Sequence, residues 1–467
     1  MTQLIQKHKR IYDIIHGDIH ISNYACAIID SPYFQRLRYL HQLGVCYFVF
    51  PNGDHSRFEH SIGTYYLAGK ILDVIKQNTD KTKLDLWLRD INMLNYYWKD
   101  EYMERTLDDK LCELIKIAAL CHDLGHGPFS HIFDDVFLPS VIEPYPCTNE
   151  KVSIVKYKEN KFINHEYRSG IILKWIINED KLLRENINLH DLEFINNLIN
   201  PNENNNGFIY QIVSNSLNGL DVDKYDYLAR DIKLLGKDMH FDYLRLISEI
   251  QIIDNIICYP KQIYYEIVNL FHTRYQLHKM IYNHKAVIAV QLMITEIMKK
   301  LDNIMDIGLS IRYESVHQFC QLTDTYLLNT LEFIVNPPEI LGEMLFTYFK
   351  KVEDDEGNSY DNILSDAYEL YQRIKERKLY KLIFSKTSDG PIEYDEKYDN
   401  KELYEVYHNK IGYVSGNKGN PLDDIYFYNT KDIQNGEYKK FKINKEDVSK
   451  LIPNVYQEHI LMIYEKN

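Results

Sequence analysis

Apolar residues recur at helical spacing along most of the chain. Such runs extend from Arg57 to Gln77, Leu111 to Asp123, His165 to Asn178 and Asp223 to Leu235, through Phe271 to Lys299, and from Asp366 to Leu379. Strand-like alternation is scarce between about Pro32 and Phe384, which predicts an all-helical main lobe. Two polar segments, Asn78 to Thr82 and Asn202 to Asn206, interrupt it and read as exposed loops. A third, Ser385 to Asn400, contains Asp389-Gly390-Pro391 and reads as the boundary between lobes. Beyond it the period shifts toward two. Tyr404 to Val414, Asp424 to Tyr428 and Tyr438 to Ile443 read as strands, with Lys445 to Leu451 and Asn454 to Tyr464 as closing helices. The expected architecture is mainly α: a helical lobe over residues 1–384 and a small α+β lobe over 385–467, without repeats or a low-complexity tail.

The length of 467 residues exceeds what one core needs and agrees with a large domain plus a smaller lobe. Abundant Asn, Ile, Lys and Tyr read as AT-rich codon bias and carry no functional message. With 54 basic and 68 acidic residues the formal charge is -14, which opposes broad, sequence-independent binding of nucleic acid. Any polyanionic ligand therefore needs a local basic pocket. Seven scattered cysteines with no CxxC pair fit a reducing compartment, cytoplasm or nucleus. The amino terminus lacks the apolar core of a signal peptide, and no stretch approaches the roughly 20 apolar residues of a membrane span, so a soluble intracellular protein is expected.

The strongest chemical signal is His122-Asp123-Leu124-Gly125-His126, which closes the apolar run Leu111 to Leu120. Arg57-Phe58-Glu59-His60 lies upstream and Asp221-Val222-Asp223-Lys224 downstream, so three separate helices can bring two imidazoles and two carboxylates to one ion. Such ligands suit Fe, Mn, Zn or Mg according to geometry, and the sequence does not choose among them. Arg57 and His60 lie within one helical turn and can face one cavity, while Asp223, Tyr227 and Asp231 fall at i, i+4 and i+8 as a stripe on one helix. A divalent metal beside cationic side chains points to hydrolysis of a phosphate ester.

His60, His122-Asp123 and Asp223 resemble the H...HD...D signature of the HD phosphohydrolase superfamily. The flanking text is more specific. Asp30-Ser31-Pro32-Tyr33-Phe34-Gln35-Arg36-Leu37-Arg38, Gly53-Asp54-His55-Ser56-Arg57-Phe58-Glu59-His60-Ser61, Cys121 to His131 and Asn218 to Tyr227 resemble the deoxynucleoside triphosphate triphosphohydrolases. Within them the chain is most similar to the catalytic core of the vertebrate SAM-and-HD-domain branch, from about Lys9 onward and including Phe271-His272-Thr273-Arg274, without the SAM module.

That resemblance implies an HD-domain helical lobe and cleavage of dNTP into deoxynucleoside and inorganic triphosphate, with His60, His122, Asp123 and Asp223 holding the metal. A second Mg at the phosphates is left open. His131, with Asp134 at i+3 to orient it, is the expected general acid for the 5′ leaving oxygen. His126 and His165 are placed beside the phosphates, to bind them or share proton transfer. Arg57, Lys224 and Arg274 are the expected phosphate cations. Gln42, Leu43 and Tyr227 would wall off a ribose 2′-hydroxyl, Asp231 and Gln42 would hold the 3′-hydroxyl, and Tyr282 and Asn283 would approach base or sugar, with Asn283 standing where the family has Gln.

The same resemblance implies activation by GTP or dGTP at Lys9, Asp30, Gln35, Arg38 and Arg377, and a homo-oligomer, dimer or tetramer. The branch's second allosteric pocket is altered. Arg245 and Lys285 remain, but Tyr12 replaces an Asn and only Lys261 could serve for an Arg-x-Lys pair, which puts nucleotide-stabilised tetramers in doubt. Cys258 matches one redox cysteine of the branch, yet Ile250 stands at its partner position. Fold alone does not fix activity. The alternatives are another HD phosphohydrolase, such as a nucleotidase or phosphodiesterase, and a catalytically silent nucleotide sensor or single-stranded nucleic-acid binder.

Overall fold

The computed structural model describes residues 5–98, 102–141, 161–311, 316–336, 360–413, 419–444 and 455–466. Among them the chain is mainly helical, with three small sheets. The long helices form where the sequence carries the 3.6-residue period. Arg57–Asn78 starts at a capping box in which Ser56 accepts from the first turn and Glu59 reaches back to the Ser56 amide. Asp109–Cys121 and Val222–Leu234 are capped by Asp108 and Asp221, whose carboxylates accept from the amides of Leu111 and Lys224.

The Arg57–Asn78 helix lies between the other two and packs against both. Leu67, Ile71, Leu114, Ala118 and Leu228 are buried in the core that these helices share. Each of the buried Leu and Ile side chains there contributes about 1.5–3 kcal/mol. This packing brings the carboxyl end of Asp109–Cys121 beside the amino ends of the other two helices, where the motif residues sit.

The stretch Phe271 to Lys299 is not one helix. A π-helical turn, His278–Tyr282, separates Tyr264–Leu277 from Lys285–Met305, and the Asn283 side-chain amide donates to the His278 carbonyl at 2.9 Å where regular pairing stops. Insertions of this kind cluster at functional sites.

Ahead of the helices, strands β1 (Lys7–Asp13) and β2 (Gly17–Ser22) form an antiparallel hairpin. Its turn is built by Asp13, whose Oδ1 accepts from the amides of Ile15 and His16 at 2.8 and 2.9 Å. Later, β3 (Gln251–Ile253) and β4 (Ile256–Pro260) pair antiparallel.

The remaining strands are β5 (Lys381–Ser388), β6 (Tyr404–Gly412), β7 (Tyr426–Tyr428) and β8 (Gln457–Glu465). β8 is central in the order β5-β8-β6 and pairs antiparallel with both neighbours. This corrects the helix expected over Asn454 to Tyr464. The run Ile460-Leu461-Met462-Ile463-Tyr464 is buried on both faces of the sheet, and such a continuous apolar run has no period to tell strand from helix. The expected strand Tyr438 to Ile443 reduces to a single bridge between Phe427 and Phe441, and Lys445 to Leu451 lies outside the described residues. β5 runs across residue 384, and β7 pairs in parallel with β4, so the carboxy-terminal segment is stitched onto the main lobe at Cys258 to Pro260.

Candidate active site

His60 Nε2 lies 3.1 Å from Asp223 Oδ1 and 3.3 Å from His122 Nε2, and His122 Nε2 is 3.5 Å from Asp223 Oδ1. Asp123 completes the group, with Oδ2 at 3.6 Å from His60 Nε2 and Oδ1 at 3.3 Å from His122 Nε2. The four donors expected from the sequence thus converge.

Their tautomers are fixed from behind. His122 Nδ1 lies 2.8 Å from the Ala119 carbonyl, which can only accept, and His60 Nδ1 lies 2.8 Å from Asp226 Oδ2. Both Nδ1 atoms donate, so in the neutral rings both Nε2 lone pairs face each other and two carboxylates. A divalent cation answers that arrangement, and His60, His122 and Asp223 offer donor atoms close enough together to share one. Protonation answers it otherwise: burial pulls the His60 imidazole down, but hydrogen bonds to Asp223 and Asp226 outweigh it and leave it raised to about 10. Burial pushes Asp123 upward, and the Arg57 guanidinium with the His122 and His126 imidazoles reverses this, holding it well below the usual carboxylate range.

The loop after Cys121 works by close contact. A Cβ on Gly125 would come within 2.0 Å of the His165 carbonyl, so glycine lets the His165–Glu179 helix seat against the motif. His165 then stacks on His126, ring centroids 3.9 Å apart. Burial and the neighbouring His126 keep His165 well below the ordinary imidazole range, hence neutral.

Asp134 orients His126, not His131. His126 Nδ1 donates to Asp134 Oδ2 at 2.6 Å, and the other oxygen of Asp134 is held by the buried Arg168. His131 Nδ1 instead pairs with Asp135 Oδ2 at 3.0 Å. The expected i+3 pairing fails because residues Ile132–Phe137 form a π-helical turn, whose wider winding sets Asp135 opposite His131 and turns Asp134 inward. The His131 side chain is 65% exposed on the open side of the cavity; desolvation by its neighbours lowers its pKa, but the bond to Asp135 outweighs this and the net shift is upward.

Arg57 donates from Nε to Ser130 Oγ at 2.8 Å and from Nη1 to Asp123, while its Nη2 is buried without a partner. Together with these groups a cavity of about 750 Å³ is lined by Gln42, Leu43, Lys224, Tyr227, Asp231, Arg274, Tyr282 and Asn283. Burial lowers the Lys224 ammonium, but Asp221 and other neighbours raise it overall, so it stays charged. Asp231 accepts from His55 Nε2 at 2.8 Å and from the Tyr282 hydroxyl. Gln42 Oε1 is buried with no protein partner, an open acceptor on the wall. Asn283 is fully engaged: its Oδ1 accepts from the Tyr407 hydroxyl at 2.8 Å and from Asn409 Nδ2 at 2.9 Å, so it braces those residues rather than offering a free amide.

Several cavity residues escaped the sequence reading. His278 lines the wall beside Arg274, and β6 contributes Tyr407, His408, Asn409 and Lys410 from the far end of the chain. Asp226 sits behind His60, and Arg168 sits behind Asp134 and His126. Asp226 follows Asp223 by three positions, one helical turn, and that spacing was the available signal.

The residues expected to bind an activator lie elsewhere. Lys9 Nζ donates to both oxygens of Asp30 at 2.8 and 3.0 Å, Arg38 Nε donates to Gln35 Oε1 at 2.8 Å, and the Arg38 guanidinium covers the Phe58 ring at 3.5 Å. Arg377, in the left-handed region at φ 63°, donates to the Phe48 carbonyl at 2.6 Å. Arg245 and Lys285 are both exposed.

An HD domain model matches residues 57–231, a span that begins at Arg57 and ends at Asp231. An HD domain-containing protein of Acanthamoeba polyphaga mimivirus is 37% identical over 436 residues, covering 90% of this chain and 85% of that protein. The deoxynucleoside triphosphate triphosphohydrolase SAMHD1 homolog of Dictyostelium discoideum is 33% identical over 465 residues, 98% of this chain and 77% of that one. Human deoxynucleoside triphosphate triphosphohydrolase SAMHD1 is 30% identical over 511 aligned positions, 100% of this chain and 72% of the human protein. Helical fold, matched span and His/Asp cluster together define an HD-domain hydrolase. The chain belongs to the SAMHD1 family of deoxynucleoside triphosphate triphosphohydrolases. Among the described residues no helix is long and apolar enough to cross a membrane.

Proposed function

We propose that this protein is a metal-dependent dNTP triphosphohydrolase that converts a dNTP and water into deoxynucleoside and inorganic triphosphate. The observation carrying this reading is the meeting of the four-donor cluster with Arg57, Lys224 and Arg274 in one cavity, whose other end holds Tyr227, Asp231 and Tyr282. His60, His122, Asp123 and Asp223 would hold the ion, Fe, Mn, Zn or Mg, which supplies charge neutralisation and a more acidic water.

The protein's own groups do the rest. The unpartnered Nη2 of Arg57, with Lys224 and Arg274, meets the triphosphate. His126, held by Asp134, accepts the proton of the attacking water, and neutral His165 stacks its ring in place. As water adds to the α-phosphorus, the bond to the 5′ oxygen breaks. His131, kept protonated by Asp135, delivers a proton to that oxygen. The sugar lies against Gln42, Leu43 and Tyr227, with its 3′-hydroxyl toward Asp231 and Gln42.

We infer further that GTP or dGTP activates the enzyme at the surface carrying Lys9, Asp30, Gln35 and Arg38, with Arg377 contributed across a homo-oligomer contact. A carboxylate beside two cations suits a guanine edge and its phosphates. Arg245 and Lys285 lack a complete set of companions for a second activator.

The test is product analysis. Metal-loaded protein is incubated separately with dGTP, dATP and GTP, and dATP is repeated with GTP added. Triphosphate plus deoxynucleoside is expected from dGTP alone and from dATP once GTP is present. Monophosphate plus pyrophosphate would reject the reaction, and equal dATP turnover with and without GTP would reject the activation.

A further inference from the structure

Behind His60 lies a buried ionic network that reaches the amino-terminal hairpin. Asp226 uses both carboxylate oxygens twice. Oδ2 accepts from His60 Nδ1 at 2.8 Å and from Arg230 Nε at 2.9 Å, and Oδ1 accepts from His16 Nε2 at 2.6 Å and from Arg230 Nη2 at 2.9 Å. Arg230 Nη1 continues to Asp13 Oδ2 at 2.8 Å, and the Tyr243 hydroxyl lies 3.2 Å from His16 Nδ1. His16 and Asp13 belong to the hairpin turn, which Asp13 Oδ1 itself closes. The His16, His60, Asp226 and Arg230 side chains are almost wholly inaccessible to water. A glycine makes room for this arrangement. A Cβ on Gly63, one turn after His60, would fall 1.9 Å from Asp226 Oδ1.

We propose that the hairpin turn is a positioning element for the metal ligand: His16 and Asp13, acting through Asp226 and Arg230, hold the His60 ring in the tautomer and rotation that aim Nε2 at His122 and Asp223. The proposal rests on the reading of His60 as a ligand. The physical reason is satisfaction of charge. Asp226 is a buried carboxylate, and its two oxygens stay anchored only while His16 and Arg230 occupy their remaining acceptor sites. Without His16, Oδ1 loses its shortest bond and the carboxylate is held by the Arg230 fork alone, which lets it turn with that fork and loosens its hold on Nδ1 of His60. Asp13 acts likewise at one remove, since it fixes the guanidinium fork that clamps Asp226 from the other side. Although distant in sequence from the HD motif, the hairpin thus reaches the metal centre through a single intervening carboxylate.

The experiment uses the full chain, stripped of metal and titrated calorimetrically with Mn²⁺, alongside thermal melts of the metal-free protein and dNTP kinetics. His16→Ala and Asp13→Asn should each weaken Mn²⁺ binding by about 10–100-fold, the usual effect of removing a partner behind a ligand. Asp13→Asn keeps the oxygen that closes the turn and leaves Arg230 paired with Asp226, so it should remain folded, with a lowered metal-free melt, even if His16→Ala fails to fold. His16→Gln, whose amide can still donate to Asp226, should recover most of the affinity. At saturating Mn²⁺ the KM for dNTP should be unchanged. His60→Ala is the control: Mn²⁺ bound as tightly as in wild type would overturn the ligand reading itself. If His60→Ala abolishes binding while Asp13→Asn and whichever His16 variants fold bind Mn²⁺ like wild type, the ligand reading stands and the positioning role is rejected.

Discussion

The cavity and the amino-terminal surface are both built from charged pairs, yet they obey different rules. Around the His/Asp cluster the carboxylates Asp123, Asp134 and Asp226 are buried and have partners on more than one side: Asp134 holds His126 and Arg168, Asp123 holds Arg57 and faces His122, and Asp226 holds His60, His16 and Arg230. On the surface, Lys9 and Asp30 are 42% and 54% exposed and hold chiefly each other. Losing one buried partner strands the other charge, at about 3–5 kcal/mol, whereas a surface pair contributes about 0–1 kcal/mol. Interlocked burial therefore marks where geometry is enforced. Loosely held surface charges mark where a ligand could exchange partners without unfolding anything.

That contrast can be broken most sharply at Asp123. Asp123→Asn should take dNTP turnover to assay background and weaken Mn²⁺ binding, while circular dichroism shows an intact fold; measurable turnover would mean the metal is held elsewhere. Next in size is Asp134→Asn, which leaves Arg168 buried beside a neutral amide. The kcat should fall by roughly 10²–10⁴-fold, and urea unfolding should show a loss of about 3–5 kcal/mol. A stable, inactive variant would mean that Asp134 serves His126 alone.

Tyr227→Ala should open the wall against a 2′-hydroxyl and improve GTP hydrolysis relative to dGTP by about tenfold in kcat/KM ratios. An unchanged ratio would place sugar discrimination on Gln42 and Leu43. A smaller effect is expected at Asp135, which raises the His131 pKa. A proton donor works below its pKa and fails as pH rises through it, so Asp135→Asn should move the alkaline limb of kcat to lower pH. An alkaline limb that does not move would remove His131 from the acid role. The least effect on stability belongs to Lys9→Ala, below about 1 kcal/mol by urea unfolding, accompanied by loss of GTP stimulation of dATP turnover. Stimulation that survives would mean Lys9 is only a surface ion pair.

Much of this molecule was readable from its residues. The helices carrying His60, His122 and Asp223 announce themselves by period and caps, and the His/Asp cluster follows because each of these side chains sits at a helix end that packing brings together. What stayed hidden depends on departures from regular winding or on long-range pairing. The π-turn after His131 exchanged the partners of Asp134 and Asp135, a change of fractions of a turn that spacing alone cannot report. The break at His278–Tyr282 sits inside an unbroken apolar period, with no proline or glycine to signal it. β8 was misread because burial on two faces erases alternation. Tyr407 and Asn409 carry no motif, and their place at the cavity follows from a register with β8 in which Tyr407 pairs with Met462 and Asn409 with Ile460.

That register has a consequence for synthesis. By the time Gly412 leaves the ribosome, every described residue lining the cavity has been made, but the strand that pairs with β6 along its whole length comes only at residues 457–465. A nascent chain paused between these points carries the HD helices with one wall of the pocket still unpaired. Competence to hold a nucleotide therefore arrives late in translation, as a single closing event.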